Sequence, residues 1–423
     1  MIQILNYGQV SNREIFARVV PEMDVAGIVS EIIRDVRKFG DEALLQYCQR
    51  FDRVKLNNLE VSQEEIEEAV AQVDPEFLQI LTEAAENIKS FHSHQVRNSF
   101  VTQRDGVILG QKVTPIENVG IYVPGGTAAY PSTVLMDTIP AKIAGCSQIV
   151  MVTPPSRDGS VNPAILAAAK IAGVDRIFKV GGAQAVAALA YGTQSVPKVD
   201  KIVGPGNAYV TAAKKLVFGK VAIDMVAGPS EIMVIADRTA PAEFIAADFL
   251  SQAEHGSGLE QSVLVTDSDE VLDAVEKEVM KQKASLPRIA TVDRVLEKGA
   301  FLIRVNDMAE AAEIANSYAP EHLEIMTEFP EKVARNIRAA GAIFLGPWTP
   351  EPAGDFCAGP SHVLPTAGSA KFFRGLGVDS FYRRSSLVRY SEEAIRREAW
   401  IIEEFASMEG LDAHGRSGTI RRK

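Results

Sequence analysis

The chain has 423 residues, more than one hydrophobic core usually organises, so two or more domains are expected. With 46% hydrophobic and 23% charged residues it has the composition of a soluble globular protein, and it lacks the apolar run of about 20 residues that a membrane span needs. The formal net charge of −11 speaks against nucleic-acid binding, which relies on clustered Lys and Arg, but leaves room for an anionic cofactor held by backbone amides.

The N-terminal residues and the cysteines indicate where the protein works and what could bind a metal. The segment Met1-Ile2-Gln3-Ile4-Leu5 shows no secretory signal, so we expect a cytoplasmic protein. Three distant cysteines, Cys48, Cys146 and Cys357, provide neither a disulfide framework nor a Cys-rich zinc site. Any metal must therefore be bound by histidine, carboxylate or amide groups.

The first hundred residues are predicted to be helical. Apolar residues recur at helical spacing from Val25 to Val36, and Gly40 supplies a C-terminal stop. Ser62 and Glu65 have the spacing of a capping box, and a further helix is predicted from Asp74-Pro75 to Phe91. We expect His92 and His94, which follow that helix, to be surface residues.

From about residue 118, short runs rich in β-branched residues alternate with helical patterns. The predicted strands are 119–123, 148–152, 176–180, 201–203 and 231–236, and then 263–265, 301–305 and 342–345. A helix is predicted around 241–255, and an amphipathic helix from Ser391 to Gly410. Strands separated by helices favour βαβ units, so two α/β domains with parallel sheets are expected, with a soft boundary near residue 235.

Glycine-rich turns follow several strands of the first α/β unit. They are Pro124-Gly125-Gly126, Gly181-Gly182-Ala183-Gln184 and Gly204-Pro205-Gly206-Asn207. Ligands of parallel sheets bind at the carboxyl ends of strands, where glycine allows close approach and helix N-termini favour phosphate, so a nucleotide is one interpretation. Because the usual G-x-G-x-x-G fingerprint is absent, purely structural tight turns are an equal alternative.

Four polar residues of the second half could bind one metal ion. Gln252 and His255 are three residues apart and would share a helix face, and Asp355 and His414 would complete a set of two nitrogens and two oxygens. Each residue alone has a simpler structural interpretation: His255 as a helix-terminal residue, Asp355 as a turn residue, and His414 as a solvated residue near the chain end.

The dipeptide Glu321-His322 places two general bases side by side after a proline. A histidine titrates near neutral pH and burial raises the pKa of a glutamate towards that range, which suits two successive proton abstractions. On local sequence, a helix-capping glutamate next to a surface histidine fits equally well. We expect Cys146 to be a buried apolar residue and Cys357 to lie in the polar loop after Asp355 without reacting.

Taken together, these blocks resemble the histidinol dehydrogenase family from end to end. The resemblance is carried by 120–126, 180–185, 204–208, 228–231, 251–255, 320–323, 354–366 and 411–414. It implies two incomplete Rossmann-like domains of an aldehyde-dehydrogenase-like fold, with helical N-terminal and C-terminal extensions. The implied divisions are an extension at 1–20, an α/β domain with the metal and catalytic residues at 21–118 plus 236–375, an NAD-binding domain at 119–235, and a tail at 376–423 that docks on a partner subunit.

The resemblance also implies roles for individual residues. Zinc would be held by Gln252, His255, Asp355 and His414, and NAD would contact Tyr122, Gln184 and Asn207. The substrate would meet these zinc ligands together with Ser230, His322, His362 and Glu409. His322 would remove the hydroxyl proton, Glu321 would activate water for the aldehyde step, and one zinc ion per subunit would orient the substrate.

The implied activity is oxidation of L-histidinol through L-histidinaldehyde to L-histidine with two NAD, the last steps of histidine biosynthesis. The family implies a homodimer in which Glu409 and His414 reach the partner's active site, with no nucleic acid or membrane involved. Three alternatives stay open: a relative that oxidises another small alcohol, a zinc hydrolase with Glu321 as base, and a non-catalytic binding module. Manganese or cobalt would also suit these ligands.

Overall fold

The computed structural model describes residues 2–11, 16, 18, 25–125, 129–255 and 257–422. Within these residues the chain forms two parallel β-sheets, each with apolar cores on both faces, and a small antiparallel sheet. The predicted α/β class with two parallel-sheet units is therefore confirmed. Gly126 of the first glycine-rich turn lies outside the described residues.

The strands number fourteen in the described residues. They are β1 (Gln3–Asn6), β2 (Phe100–Arg104), β3 (Val107–Pro115), β4 (Asn118–Tyr122), β5 (Gln148–Thr153), β6 (Arg176–Lys179), β7 (Lys201–Val203), β8 (Ala222–Ile223), β9 (Glu231–Ala236), β10 (Gln261–Thr266), β11 (Ala300–Arg304), β12 (His322–Met326), β13 (Ala342–Leu345) and β14 (Tyr382–Tyr390).

The α-helices of the same residues fill the spaces between these strands. They are α1 (Ala26–Phe39), α2 (Asp41–Tyr47), α3 (Gln63–Gln72), α4 (Pro75–Ser93), α5 (Pro131–Ala144), α6 (Pro163–Ala172), α7 (Gly182–Tyr191), α8 (Ala208–Val217), α9 (Ala242–Ala253), α10 (Asp269–Lys283), α11 (Ile289–Lys298), α12 (Met308–Tyr318), α13 (Pro330–Ala334), α14 (Glu351–Phe356), α15 (Glu392–Met408) and α16 (Asp412–Thr419).

The five-stranded sheet has the order β6-β5-β4-β7-β8, and all its strands are parallel. Along β5, Ile149 and Met151 face one core whereas Val150 and Val152 face the other, because successive side chains of a strand point to opposite faces. Helices α3 to α6 contribute to the first core, and α1, α2, α7 and α8 to the second. Both faces of the sheet are thus buried, as parallel sheets require.

The six-stranded sheet has the order β1-β11-β10-β9-β12-β13 and is also parallel. Helices α9, α10 and α11 cover one face, and α12 and α13 cover the other. In the neighbouring pair β9 and β12, His322 lies opposite Ile232, so Glu321 and Glu231 are adjacent at the amino ends of these strands. This register brings the predicted catalytic dipeptide next to β9.

The C-terminal segment begins with a strand and ends in two helices. Strand β14 pairs along its whole length with β3, and β2 completes the antiparallel sheet on the other side of β3. The side chain of Ser391 caps α15 as predicted, and Arg104 of β2 pairs with Glu398 of that helix at 2.6 Å. The helices α15 and α16 pack on each other.

The sequence predictions and the structure differ at several points. Six strands were not predicted: β1, β2, β3, β8, β12 and β14. Each is either short or contains polar residues, so its apolar pattern does not indicate a strand. Residues 21–118 were grouped with the six-stranded sheet, yet helices α1 to α4 pack on the five-stranded sheet. The apolar faces of these helices show only that they need a partner, and local sequence does not indicate which sheet provides it.

Smaller predictions have mixed outcomes. Helix α1 ends at Gly40, and the Ser62–Glu65 capping box is present. Cys146 is buried as expected, but His92 is buried rather than on the surface and pairs through Nδ1 with Gln95 at 3.0 Å, while His94 is exposed. In the described part of the chain, none of the helices combines the length and apolar character needed to cross a bilayer.

Gly204, at the end of β7, allows a close approach that we expect to be essential. Its φ is +109°, and a Cβ there would lie within 3.0 Å of the Tyr122 carbonyl oxygen and of Asp137. The substitution Gly204→Ala should cost about 1–3 kcal/mol of backbone strain plus about 1–3 kcal/mol of overpacking. Urea unfolding followed by circular dichroism would measure this loss.

The matched control is Gly219→Ala, where φ is +93° and nothing lies within 4 Å of the added Cβ. This variant should show only the strain component. Equal shifts of the two unfolding midpoints would contradict a steric role for Gly204.

Candidate active site

A cleft of about 1080 Å³ opens at the carboxyl ends of β4, β5 and β6. Its walls include Tyr122, Gln184 and Asn207, the three residues predicted to contact NAD. The residues Phe51, Pro154 and Pro155 add apolar surface, and Glu31, Arg50, Asp52 and Arg157 add charges. The structure therefore brings the three predicted residues together at the sheet edge where parallel sheets bind ligands.

Local hydrogen bonds fix two of these side chains. The Tyr122 hydroxyl accepts a hydrogen bond from the Gly182 amide at 3.0 Å, and burial raises the pKa of this phenol to about 12, so it stays neutral. The Asn207 side chain caps α8 by accepting from the amides of Tyr209 and Val210. Gln184 lies in the first turn of α7. The N-termini of both helices face this cleft, an arrangement that favours phosphate groups.

The predicted catalytic pair lies at the amino ends of β9 and β12 in the six-stranded sheet. Glu321 and His322 are 5% and 3% exposed. The Glu231 amide donates to Glu321 Oε2 at 2.9 Å, and His322 Nδ1 lies 3.1 Å from both the Glu231 carbonyl oxygen and Gln252 Oε1. The alternative of a helix-capping glutamate with a surface histidine is thus excluded by the geometry.

The surroundings of His322 select one tautomer of its ring. Because the Glu231 carbonyl can only accept, Nδ1 carries the hydrogen, which leaves the lone pair on Nε2. Nε2 is buried without a hydrogen-bond partner among the described residues, and Glu351 Oε1 lies 3.4 Å away. Burial lowers the pKa of His322 to about 4, so the ring is neutral at pH 7 and Nε2 can accept a proton.

Burial has the opposite effect on the Glu321 carboxyl group. Desolvation raises its pKa well above the usual range, and the negative charges of Glu231, Asp355 and Glu351 raise it further. The hydrogen bond from the Glu231 amide opposes this shift. A carboxylate of raised pKa is a stronger base than an exposed one, which makes Glu321 suitable for activating water.

Two of the four predicted metal ligands, Gln252 and Asp355, lie beside His322, and a third, His255, influences its pKa. Gln252 is buried at the end of α9 and its Nε2 has no partner among the described residues. Apart from burial, the charges of Asp355 and His255 are the largest influences on the pKa of His322, which places both groups nearby. His255 is exposed and follows α9, and Asp355 lies in α14 rather than in a turn.

Sequence reasoning missed Glu351. Ligand atoms of His322, Glu351 and Asp355 all lie within 4.8 Å of one another, the only such group of histidine, cysteine or acidic residues in the described ranges. Glu351 is 2% exposed, and the negative charge of Asp355 adds to burial in raising its pKa to about 9. The spacing of four residues between two acidic groups, directly after Pro350, could have indicated a shared helix face.

Two further predicted substrate contacts lie at the same edge of the sheet. His362 Nδ1 is 3.2 Å from the Asp355 carbonyl oxygen, and its Nε2 is 3.3 Å from Thr133 Oγ1. Ser230 immediately precedes β9, and its carbonyl oxygen accepts from the Gln261 amide at 3.1 Å. Both residues therefore border the catalytic pair.

Glu409 and His414 are not brought to this site. Both are exposed, Glu409 directly after α15 and His414 in α16. Across the parts of the chain that the structure describes, the cluster of possible metal ligands around Asp355 includes neither His255 nor His414. The single chain thus brings Gln252 and Asp355 to His322, while His255 and His414 lie outside the cluster.

Comparisons with known proteins agree with this geometry. The family model for histidinol dehydrogenase matches residues 18–422. Histidinol dehydrogenase of Listeria innocua is 52% identical over 398 residues, which cover 94% of this chain and 93% of the relative. That of Heliobacterium mobile is 48% identical over 425 residues, with coverage of 100% and 99%.

A solved structure supports the same relationship. Histidinol dehydrogenase from Elizabethkingia anophelis superposes with a TM-score of 0.95 at 40% identity, covering 99% of this chain and 98% of that chain. The match in sequence and fold extends over both parallel sheets and the C-terminal helices. The chain belongs to the histidinol dehydrogenase family.

Proposed function

We propose that this protein catalyses the zinc-dependent oxidation of L-histidinol to L-histidine through L-histidinaldehyde with two NAD, the final steps of histidine biosynthesis. The observation that carries the proposal is the buried pair Glu321 and His322, which lies beside a cluster of metal-ligating side chains. The family relationship and the cleft at Tyr122, Gln184 and Asn207 support the choice of substrate and of NAD.

The residues present fit a zinc ion. The buried Gln252 amide offers an oxygen 3.1 Å from His322 Nδ1 and a nitrogen without a partner among the described residues. Asp355 provides a carboxylate near the same histidine, and His255 influences the pKa of that histidine. Oxygen and imidazole nitrogen donors of this kind suit zinc. Zinc, when bound, supplies a positive centre that holds the imidazole and amine nitrogens of the substrate.

In the alcohol step, His322 Nε2 accepts the proton of the substrate hydroxyl group. The Nδ1–H contacts with Glu231 and Gln252 hold the ring so that this nitrogen remains free. As the proton leaves oxygen, the hydrogen on the alcohol carbon departs as hydride and a C=O double bond forms. NAD, when bound, supplies the hydride acceptor.

In the aldehyde step, Glu321 accepts a proton from water while the water oxygen adds to the aldehyde carbon. The product of this addition is the hydrated aldehyde. Once His322 has released the first proton to solvent, which its low pKa favours, its Nε2 accepts a proton from one of the two hydroxyl groups. The second hydride then leaves the same carbon, for which a second NAD would supply the acceptor, and the carboxylic acid forms. The two bases thus act in succession on one carbon atom.

We further propose a homodimer in which Glu409 and His414 complete the partner subunit's site. Both residues are exposed in the single chain. Large apolar side chains of the C-terminal helices, among them Trp400, Phe405 and Met408, are 56%, 67% and 87% exposed. Such a surface is typical of a subunit interface. The proposal includes a cytoplasmic location and no nucleic-acid partner.

The direct test is to incubate the purified protein with histidinol and NAD and to follow NADH absorbance. The expected result is two NADH for each histidinol consumed. The absence of NADH would show that histidinol is not the substrate and would contradict the proposal. Metal analysis of the protein as purified would identify the bound ion.

The substitution Glu321→Gln should impair the aldehyde step more than the alcohol step. Loss of a general base lowers the rate by about 10²–10⁴-fold, and the amide cannot accept the proton of water. Supplying the aldehyde directly would measure this step alone. Near-normal oxidation of the aldehyde would contradict the role of Glu321.

The pH dependence provides a second readout of the same variant. A general base must be deprotonated, so aldehyde oxidation by the native enzyme should decline as the pH falls through the pKa of Glu321, which burial raises. The remaining aldehyde oxidation by Glu321→Gln should not show this decline at low pH, because the variant lacks the carboxyl group that titrates.

The substitution His414→Asn should lower the zinc content of the protein. Mixing this variant with His322→Asn should restore activity, because heterodimers contain one site with both native residues. Random exchange would regenerate about a quarter of the native sites. Exchange confirmed with differently tagged subunits but without recovered activity would contradict shared sites.

A further inference from the structure

Glu231, the first residue of β9, contacts both catalytic residues through its main chain. Its amide donates to Glu321 Oε2 at 2.9 Å, and its carbonyl oxygen lies 3.1 Å from His322 Nδ1. A shift of this one residue would therefore change the orientation of both bases at once.

The Glu231 side chain points away from these contacts and is held by Arg18. Arg18 Nε and Nη2 donate to the two carboxylate oxygens at 2.5 and 3.2 Å, which is a bidentate arrangement. Arg18 Nη2 also donates to the Tyr318 carbonyl oxygen at 2.7 Å, and the guanidinium group lies 4.0 Å from the centre of the Tyr318 ring. Arg18 thus joins the start of β9 to the end of α12.

The network continues from Tyr318 into the sheet. The Tyr318 hydroxyl donates to Gln261 Oε1 at 2.6 Å, and Gln261 is the first residue of β10, which pairs with β9. Tyr318 is the last residue of α12 and lies two residues before Pro320, which precedes the catalytic dipeptide. Arg18 is therefore linked to the start of β9, to the end of α12 and, through Tyr318, to the start of β10.

The charge of Glu231 makes this pairing necessary. The residue is 3% exposed; burial raises the pKa of its carboxyl group, and Arg18 opposes that shift. A buried carboxylate without a cation would take up a proton or move towards water. A displaced Glu231 side chain would shift the main-chain amide and carbonyl that contact Glu321 and His322.

We propose that Arg18 and Glu231 are positioning residues that hold Glu321 and His322 in their catalytic orientation. The inference rests on the proposed function of these two bases. Neither Arg18 nor the Glu231 side chain is required to touch the substrate.

The first variant is Arg18→Met, with Arg304→Met as the matched control. Arg304 pairs with Asp269 at 2.6 Å, and its side chain is 27% exposed compared with 22% for Arg18. Arg304 is the last residue of β11 and so lies at the carboxyl ends of the strands, whereas the catalytic pair lies at the amino ends of the same sheet. The control therefore removes an arginine of similar exposure, whose partner Asp269 is exposed where Glu231 is buried, without affecting the catalytic edge.

In Arg18→Met, kcat should fall by about 100-fold for both the alcohol and the aldehyde step, the size of loss that misplacement by about 1 Å produces. The KM for NAD should change by less than about 3-fold, since the cleft belongs to the other sheet. Arg304→Met should leave kcat and KM close to those of the native enzyme. Equal kcat values for the two variants would overturn the proposal, as would a loss confined to the KM for NAD.

A second variant and a readout without substrate guard against a folding defect. Arg18→Lys keeps the charge but cannot form the bidentate pair, so its kcat should lie between those of the native enzyme and Arg18→Met. Histidine ¹⁵N NMR, with the His322 signal assigned from His322→Asn, should show the Nδ1–H tautomer in the native protein and a mixture of tautomers in both Arg18 variants.

The two proposals can fail separately. A native protein that forms no NADH from histidinol contradicts the proposed function, whatever the variants do. An unchanged His322 tautomer in folded Arg18→Met contradicts the positioning role, whatever the substrate is.

Discussion

The active site depends on two bases that are shielded from water and held in fixed orientations by hydrogen bonds. Glu321 and His322 are almost fully buried, so water cannot satisfy their polar atoms. Their partners are main-chain groups of Glu231 and the amide of Gln252, which are fixed by the sheet and by α9. Burial alone shifts both groups towards their neutral forms, and the fixed hydrogen bonds decide which atom of each remains available.

The two candidate sites use opposite edges of their parallel sheets. The cleft with Tyr122, Gln184 and Asn207 lies at the carboxyl ends of the five-stranded sheet, the location expected for a ligand of such a sheet. The catalytic pair lies at the amino ends of β9 and β12 in the six-stranded sheet. An amino-end position is unusual for a catalytic site on a parallel sheet. Here the site is formed by residues at the starts of strands, not by the loops that follow the strands.

Much of this organisation could be predicted from local patterns. The strands 148–152 and 231–236, the capping box at Ser62 and the stop at Gly40 all follow from side-chain period and cap chemistry, which act over a few residues. The chemical types of Gln252, His255 and Asp355 likewise suggested a metal site before any coordinates. The family resemblance, more than spacing, connected these distant residues.

Other features depend on pairings across hundreds of residues and leave no local trace. Strand β12 was not predicted because His322 and Glu324 are polar, and only the neighbouring β9 and β13 explain why they are buried. The role of Glu351 follows from its contact with His322. The role of Arg18 follows from its ion pair with Glu231, which is 213 positions away. Nothing in the sequence around Arg18 indicates that partner.

The placement of β1 also affects how the chain is made. Residues 3–6 pair with residues 301–304, which the ribosome adds almost 300 residues later. At about 5–20 residues per second, the first strand waits for roughly 15–60 s before its neighbour exists. During synthesis this segment thus has no strand to pair with, and the six-stranded sheet can be completed on that side only after most of the polypeptide has emerged.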